Sequence, residues 1–374
     1  MRAYLARTET FVHNQIANLQ RHRPVVTAHH RRELTEFPLG EGLVAEEALS
    51  APLAAVQRGA YRFGRVALPM GNAALARYLR EQDARLLHFH YLTDARFLLG
   101  VQRRLELPSV VSAYGYDVSS FPARGRGLGL RYLRPIFDRM DIFLAMSEDM
   151  ACDLAALGCP EDKVAVHYYG SDIGRFRHPG RAYETAEAPT VLCCARLHPA
   201  KGVQLVLEAL RRLERDGGPD FRVVIVGDGP YRGDLERLVS GWGWGARVSF
   251  AGHIPHASEA LPEQFRRADV FAHPSITLGG LKEGIPGTIV EAMGAGLPVV
   301  ATRHAGIPAV IDDGEQGLLV AEHDLDGLAA ALDALLSDAG LRERLGREAA
   351  RRAAEELDVS ACTVELERIY DRLV

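Results

Sequence analysis

Short apolar runs recur along the whole chain, and each is followed by a longer stretch whose apolar residues return at helical spacing. A run of Val, Ile, Leu and Ala without polar alternation has no face to give to water, so it reads as a strand covered on both sides by the helices that follow it. In the first half such runs lie at 2–6, 85–90, 109–113, 142–146 and 164–168, and in the second at 190–195, 222–226, 248–251, 270–273, 298–301 and 317–320. The pattern predicts an α/β chain with parallel sheets. With 374 residues the chain is long enough for two domains, each with its own interior. The pattern lapses over 175–189, where Pro179, Gly180 and small and charged residues follow one another, and this stretch reads as a linker between domains at 1–174 and 190–355. Residues 342–374 read as one or two terminal helices, with acids and arginines interleaved around Leu345, Ala349, Ala353, Leu357, Leu366 and Ile369.

Charge excludes some functions. The formal net charge is −5, and residues 1–180 carry 23 basic against 19 acidic side chains, a net of +4, which leaves −9 for the second half. Nothing here suggests nucleic acid as a partner. The mild basic excess of the first half suits either plain solubility or a phosphate-bearing or membrane-bound partner. Arg124, Arg126, Arg131, Arg134 and Arg139 interleave with Leu128, Leu130, Leu133, Ile136 and Phe137, a mixture that suits either core packing or an anionic lipid surface, with Pro135 expected to interrupt the helix. The five cysteines have no C-x-x-C spacing, so neither a disulfide framework nor a zinc site is expected. With no signal-peptide pattern and no long apolar window, the expected place is the cytoplasm, including the inner face of the cell membrane.

The segment with most chemistry in it runs from Glu283 through Gly284, Ile285, Pro286, Gly287 and Thr288 to Glu291. Two carboxylates stand eight residues apart across a Gly/Pro turn, and the turn opens a helix whose first N–H groups attract phosphate. A loop-helix junction with solvated acids is the alternative. Upstream, the run 190–195 leads to Arg196 and Lys201 and then to a helix from Val203. Both cations therefore lie beyond the carboxyl end of a strand, where open α/β sheets bind ligands, and they are the residue types that hold a diphosphate.

These stretches resemble the retaining glycosyltransferases of family 4, over nearly the whole chain. The resemblance is carried by Arg196 and Lys201, by Val226-Gly-Asp-Gly-Pro230, by Val248-Ser-Phe-Ala-Gly252, and by Ala268-Asp-Val-Phe-Ala-His-Pro-Ser275. Glu283 with Glu291, Gly306-Ile-Pro308 and Asp313 to Val320 complete it. It implies the GT-B fold, two facing Rossmann-like domains with C-terminal helices, the segment 356–374 returning to the N-terminal, acceptor-side domain. It implies that Arg196 and Lys201 bind the donor diphosphate, Glu283 the hydroxyls of the transferred sugar and Glu291 the nucleotide ribose. Gly287 and Thr288 N–H groups would meet the phosphates, Pro286 having none to give, and His253 and Ile254 would meet the base. No cofactor and no metal are implied, and the partners are a UDP- or GDP-linked sugar and a glycan or lipid-linked acceptor.

The first half resembles the branch of that family that builds exopolysaccharides such as colanic acid, through Thr8-Glu-Thr-Phe-Val12, Leu87-His-Phe-His90, Ser112-Ala-Tyr-Gly-Tyr-Asp117, Met146-Ser-Glu148 and Gly170-Ser-Asp172. Thr10, His90, Tyr114 and Asp117 are the expected acceptor or cleft residues. Tyr114 stands where the branch has His, and a phenol does not titrate near neutrality as an imidazole does. The chain begins unusually close to its Thr-Glu-Thr-Phe block, so a short first strand or a truncated start is expected. Asp324-Leu-Asp326 has the spacing of a metal-bound diphosphate site but precedes a helical run, so it reads as a helix cap. The functional alternatives are a GT-B partner subunit that has lost turnover and a sugar-nucleotide epimerase of the same fold.

Overall fold

The computed structural model of the chain describes residues 3–4, 10–31, 42–45, 49–56 and 70–374. Thr8, Glu9 and most of the expected strand 2–6 lie outside the described residues. The chain divides into two compact units, one of Met1–Tyr169 with Cys362–Val374 and one of Gly170–Ala361.

The first unit is built on strands β1 (Ala3–Tyr4), β2 (Val26–Ala28), β3 (His30–Arg31), β4 (Gly42–Val44), β5 (Leu87–His90), β6 (Ser109–Ser112), β7 (Ile142–Ala145) and β8 (Val164–Val166). Strands β5 to β8 form a four-stranded sheet in sequence order, and β1 pairs with β3 and β2 with β4, all parallel. Val110 and Leu144 of its middle strands pack on Leu366 and Tyr370 of the terminal helix Val359–Asp371, so the last residues of the chain cover this sheet. That helix is also fastened by a carboxylate: Glu367, fully buried, accepts from the N–H groups of Gln20, Arg21 and His22 at 2.9, 2.6 and 3.1 Å.

The second unit holds β9 (Thr190–Cys194), β10 (Arg222–Val226), β11 (Val248–Gly252), β12 (Val270–His273), β13 (Val299–Thr302) and β14 (Gly317–Val320) in one parallel sheet of order β11-β10-β9-β12-β13-β14. This is the doubly wound order: from β9 the chain moves outward one way, then returns to β12 and moves outward the other way. Residues of β9, β12 and β13 are buried on both faces, as their unbroken apolar runs require. Helix Val203–Arg215 supplies one cover, with Val203, Val206, Leu207, Leu210 and Leu213 on its buried stripe against the sheet and helix Leu325–Ser337. Each such side chain contributes roughly 1.5–3 kcal/mol of burial.

Two expectations need correction. Residues 175–189 are no free linker: they are packed on the second unit, the division falling at Tyr169/Gly170 and the return at Cys362 instead of 356. The cause is Arg181, whose guanidinium donates to the carbonyls of Ala295, Ala268 and Phe265 at 2.8, 2.5 and 2.6 Å and so caps the carboxyl ends of helices Gly287–Gly294 and Ala260–Arg267. Tyr183 adds a bond from its hydroxyl to Gly296 O at 3.0 Å. Second, Pro135 lies inside a helical stretch, and the segment Ser120–Arg139 breaks instead at Arg124 to Gly127, where Gly125 and Gly127 take φ of 60° and 88°. Leu133, Ile136 and Phe137 belong to the core, while Leu128 is 64% exposed.

Candidate functional site

The crevice that a doubly wound sheet opens for a ligand lies between the strands where the winding reverses, here beyond the carboxyl ends of β9 and β12. From β9 the chain turns through Arg196, makes a short 3-10 turn at Pro199–Lys201 and enters the helix at Val203. Gly202, at φ 69°, closes that turn with its Cα against the Pro274 carbonyl, and any Cβ there would overlap the carbonyl oxygen. Ile276 N–H donates to Ala200 O at 2.9 Å, so the loops after β9 and β12 are bound together. Gly227, at φ 129°, brings the β10 end onto the Ala195 carbonyl in the same manner. The Gly-Asp-Gly motif is thus explained by close backbone approach.

Glu283 sits where these loops meet. One carboxylate oxygen contacts the Lys201 ammonium, and the other accepts from Ser275 Oγ at 2.5 Å. Its backbone N–H donates to His304 Nε2 at 3.1 Å. A ring nitrogen that accepts carries no hydrogen, so the hydrogen of the fully buried His304 is on Nδ1, 2.7 Å from Glu322 Oε1. Burial opposes the charge on Glu322, but the Thr277 N–H and His304 hold its carboxyl below the usual range. Lys201 is lowered to about 7 by burial and by the Arg196 charge, an effect that its contact with Glu283 opposes. His273 is buried and held neutral, well below the ordinary histidine range, by burial and by Lys201 and His304; its Nε2 lies 3.5 Å from Glu283. Arg196 is exposed and, among the described residues, makes no hydrogen bond or ion pair.

Gly284, Ile285 and Pro286 are buried in the turn, and helix Gly287–Gly294 starts with Pro286 as its N-cap and no side chain capping it. Gly287 and Thr288 therefore bring the positive end of a helix to the site. Glu291 lies on this helix, 7% exposed; its Oε1 accepts from His256 Nε2 at 3.0 Å, while Oε2 is buried and has no hydrogen-bond partner among the described residues. His253 and Ile254 follow β11, the first exposed and the second half-buried. The second unit thus brings Arg196, Lys201, Glu283, Glu291 and this helix end into one site. Ser275, His256, His304 and Glu322 were not among the expected site residues. Each acts through a neighbour supplied by the fold, and only Ser275 lay in a motif that the sequence marks.

In the first unit, helix Thr10–Ala17 begins at Thr10 and places Phe11 4.7 Å from the Tyr114 ring. Tyr114 OH bonds His90 Nδ1 at 2.7 Å, and His90 stacks on His88 at 4.4 Å. Burial, with His88 beside it, keeps His90 neutral, and burial raises the Tyr114 phenol well above its ordinary range. Asp117, fully buried and pushed up to about 6 by burial, uses both oxygens on backbone N–H groups, Oδ1 on Tyr114 at 3.0 Å and Oδ2 on Leu92 at 2.8 Å. Its observed contacts are those of a clamp between β5, β6 and helix Leu92–Phe97. Asp324 caps helix Leu325–Ser337 through Gly327 N–H at 2.8 Å, and Asp326 pairs with Arg212. No group of three or more His, Cys, Asp and Glu that could hold a metal ion occurs among the described residues.

Fold and site define a GT-B type protein with Rossmann-like units. The chain superposes on the crystal structure of Anabaena HepE in complex with UDP with a TM-score of 0.80, at 19% identity and over 100% of both chains. Residues 8–175 match the family model of Glycosyltransferase Family 4 and residues 180–352 that of Glycosyl transferases group 1. A GDP-mannose-dependent alpha-(1-6)-phosphatidylinositol monomannoside mannosyltransferase of Mycolicibacterium smegmatis is 40% identical over 282 residues, 72% of each chain. The chain belongs to glycosyltransferase family 4. A Salmonella typhimurium protein named for colanic acid biosynthesis, WcaL, is 38% identical over 200 residues, 53% of this chain and 48% of its own. The match thus spans about half the length of that relative.

Proposed function

We propose that the chain transfers a sugar from a UDP- or GDP-linked donor to a glycan or lipid-linked acceptor with retention of anomeric configuration, in the making of exopolysaccharide or another cell-surface glycan. The observation that carries this reading is the set of groups at the β9/β12 crevice left unspent among the described residues: an unpaired Arg196, an uncapped helix end at Gly287 and Thr288, and a buried Glu291 oxygen without a partner. A nucleoside diphosphate sugar supplies their complements, a diphosphate for the first two and ribose hydroxyls for the third. Glu283 meets the sugar hydroxyls, and His253 and Ile254 the base. The relatives support this choice of ligand: HepE was crystallised with UDP, and the mycobacterial relative is named for GDP-mannose.

In the reaction the bond from the anomeric carbon to the diphosphate oxygen breaks, the acceptor oxygen bonds to that carbon on the same face, and the acceptor proton goes to the departing diphosphate. Arg196 and Lys201 stabilise the charge that grows on the leaving group, with no metal called on, and the remaining residues hold the reactants in place. The acceptor side is assigned to the first unit. Its exposed Arg124, Arg126, Arg131 and Arg134 around Leu128 and Tyr132 would touch anionic lipid at the cytoplasmic face of the membrane. No helix among the described residues is long and apolar enough to cross a membrane.

A thermal-shift screen of UDP- and GDP-sugars tests the reading, since a ligand of the folded state raises the unfolding midpoint. Arg196→Ala and Glu291→Ala should each lower donor affinity tenfold or more, about 1.5–3 kcal/mol for a charged hydrogen bond. Variants that bind UDP and GDP as the parent does would refute the assignment of the donor site.

A further inference from the structure

Glu291 is held by more than its helix. His256 Nε2 lies 3.0 Å from its Oε1, and behind His256 stands Arg175, with Nη1 3.5 Å from His256 Nδ1. A guanidinium has only hydrogens to give, so Nδ1 must present its lone pair, and the ring hydrogen is left on Nε2 for the carboxylate. Arg175 is itself fixed: Nη1 donates to His256 O at 2.8 Å, Nη2 to Ser258 O at 3.4 Å, and Glu259 lies 3.6 Å from Nη2. Phe176 packs its ring 6.1 Å from that of His256. The imidazole is therefore set in place and in tautomer before any ligand arrives.

This leaves an asymmetric carboxylate. Oε1 is engaged, whereas Oε2 is buried with no hydrogen-bond partner among the described residues, a state that costs stability unless a ligand hydroxyl completes it. We infer that Arg175 and His256 form a positioning relay that fixes the Glu291 rotamer, so that His256, through Glu291, sets the enzyme's preference for ribonucleotides over 2′-deoxyribonucleotides. The inference rests on the reading that Glu291 meets the ribose. Without the His256 hydrogen, Oε1 loses its partner and the carboxylate can turn either oxygen to the ligand or away from it. Binding then falls mainly for the hydroxyl that needs Oε2 in one place, and the diphosphate contacts of Arg196 and Lys201 are untouched.

The test measures dissociation constants for UDP, GDP, their 2′-deoxy counterparts and pyrophosphate, on the parent, Glu291→Ala, His256→Ala and His256→Gln. The parent should bind the ribo form of its preferred nucleotide about tenfold or more tightly than the deoxy form, and Glu291→Ala should show almost no preference. His256→Ala should bring the ratio to within about threefold with pyrophosphate affinity unchanged, a split that general damage to the site would not give. His256→Gln, whose amide can donate to the same oxygen, should keep most of the preference. If His256→Ala keeps the parent ratio while Glu291→Ala loses it, the relay is overturned and the ribose assignment stands. A parent without any preference overturns the ribose assignment itself. If His256→Ala does not fold, His256→Asn replaces it, because its amide is too short to reach Oε1, and a parent-like ratio there overturns the relay equally.

Discussion

Lys201 shows how much a single residue's surroundings decide. Burial beside Arg196 lowers its ammonium to about 7 in the free protein, and a donor diphosphate would favour the charged form again. At pH 6 the side chain is charged with or without donor, so binding takes up no proton; at pH 8.5 the free side chain is largely neutral, and binding a nucleotide sugar should take up close to one. Affinity should accordingly fall as pH rises above 7, by at most about tenfold per pH unit. Calorimetric titration in buffers of different ionisation enthalpy reads the uptake, and its absence at pH 8.5 would mean that the Glu283 contact keeps Lys201 charged throughout. A second expectation compares Tyr114 with Glu283. Tyr114 OH bonds the neutral His90, so Tyr114→Phe should cost at most about 1.5 kcal/mol in kcat/KM, the range of a neutral hydrogen bond. Glu283→Ala removes a charged group held by Lys201 and Ser275 and should cost considerably more; equal losses would mean that the tyrosine has been misjudged. Arg196, Lys201, Glu283 and Glu291 were legible because each belongs to a motif set by contiguous sequence. His256, His304 and Glu322 were not, because their partners lie 18 to 35 residues away in the chain and no spacing announces them.

The elements divide by the same logic. All six strands of the second sheet fall on the expected apolar runs, and β9, β12 and β13 are largely apolar because they are buried on both faces. Strands β2, β3 and β4 went unread: they are two or three residues long and pair two by two, too short to leave a periodic signal. The linker was misplaced because its Pro, Gly and small residues are turn formers whether or not the turn is fastened, and the Arg181 bonds to three carbonyls form only once the helices around it exist. Asp324 offers a test at this scale. As an N-cap its loss should cost about 1 kcal/mol of stability, so Asp324→Ala should lower the denaturation midpoint and leave kcat and KM unchanged. A fall in kcat that added magnesium or manganese restores would reverse the reading and make the Asp-Leu-Asp segment part of a metal-assisted site.

At the scale of the whole molecule, charge and exposure meet. The chain as a whole is at −5 and would be repelled weakly by anionic lipid, so any membrane contact has to come from a local patch. The segment around Leu128 is the candidate, and the structure narrows it. Leu133, Ile136 and Phe137 are spent in the core, which removes three of the five apolar side chains that the sequence offered. What remains outside is Leu128 at 64% and Tyr132 at 38% exposure, flanked by exposed Arg124, Arg126, Arg131 and Arg134, with the chain turning at Gly125 and Gly127. Each arginine near an anionic surface contributes about 1 kcal/mol and insertion of one leucine about 2 kcal/mol, enough together for reversible binding and too little for permanent anchoring. Vesicle flotation at low salt should enrich the protein on anionic vesicles over neutral ones, and raising the salt should release it, since charges at a surface are screened within about a Debye length. Replacing Arg126 and Arg131 by Glu should abolish the enrichment without lowering the unfolding midpoint, because both side chains are exposed. Leu128→Ser should weaken it severalfold at every salt concentration, as an apolar contribution is not screened. Equal recovery of the parent on anionic and neutral vesicles at low salt would remove the membrane from the proposed function and leave the segment as a solvated turn.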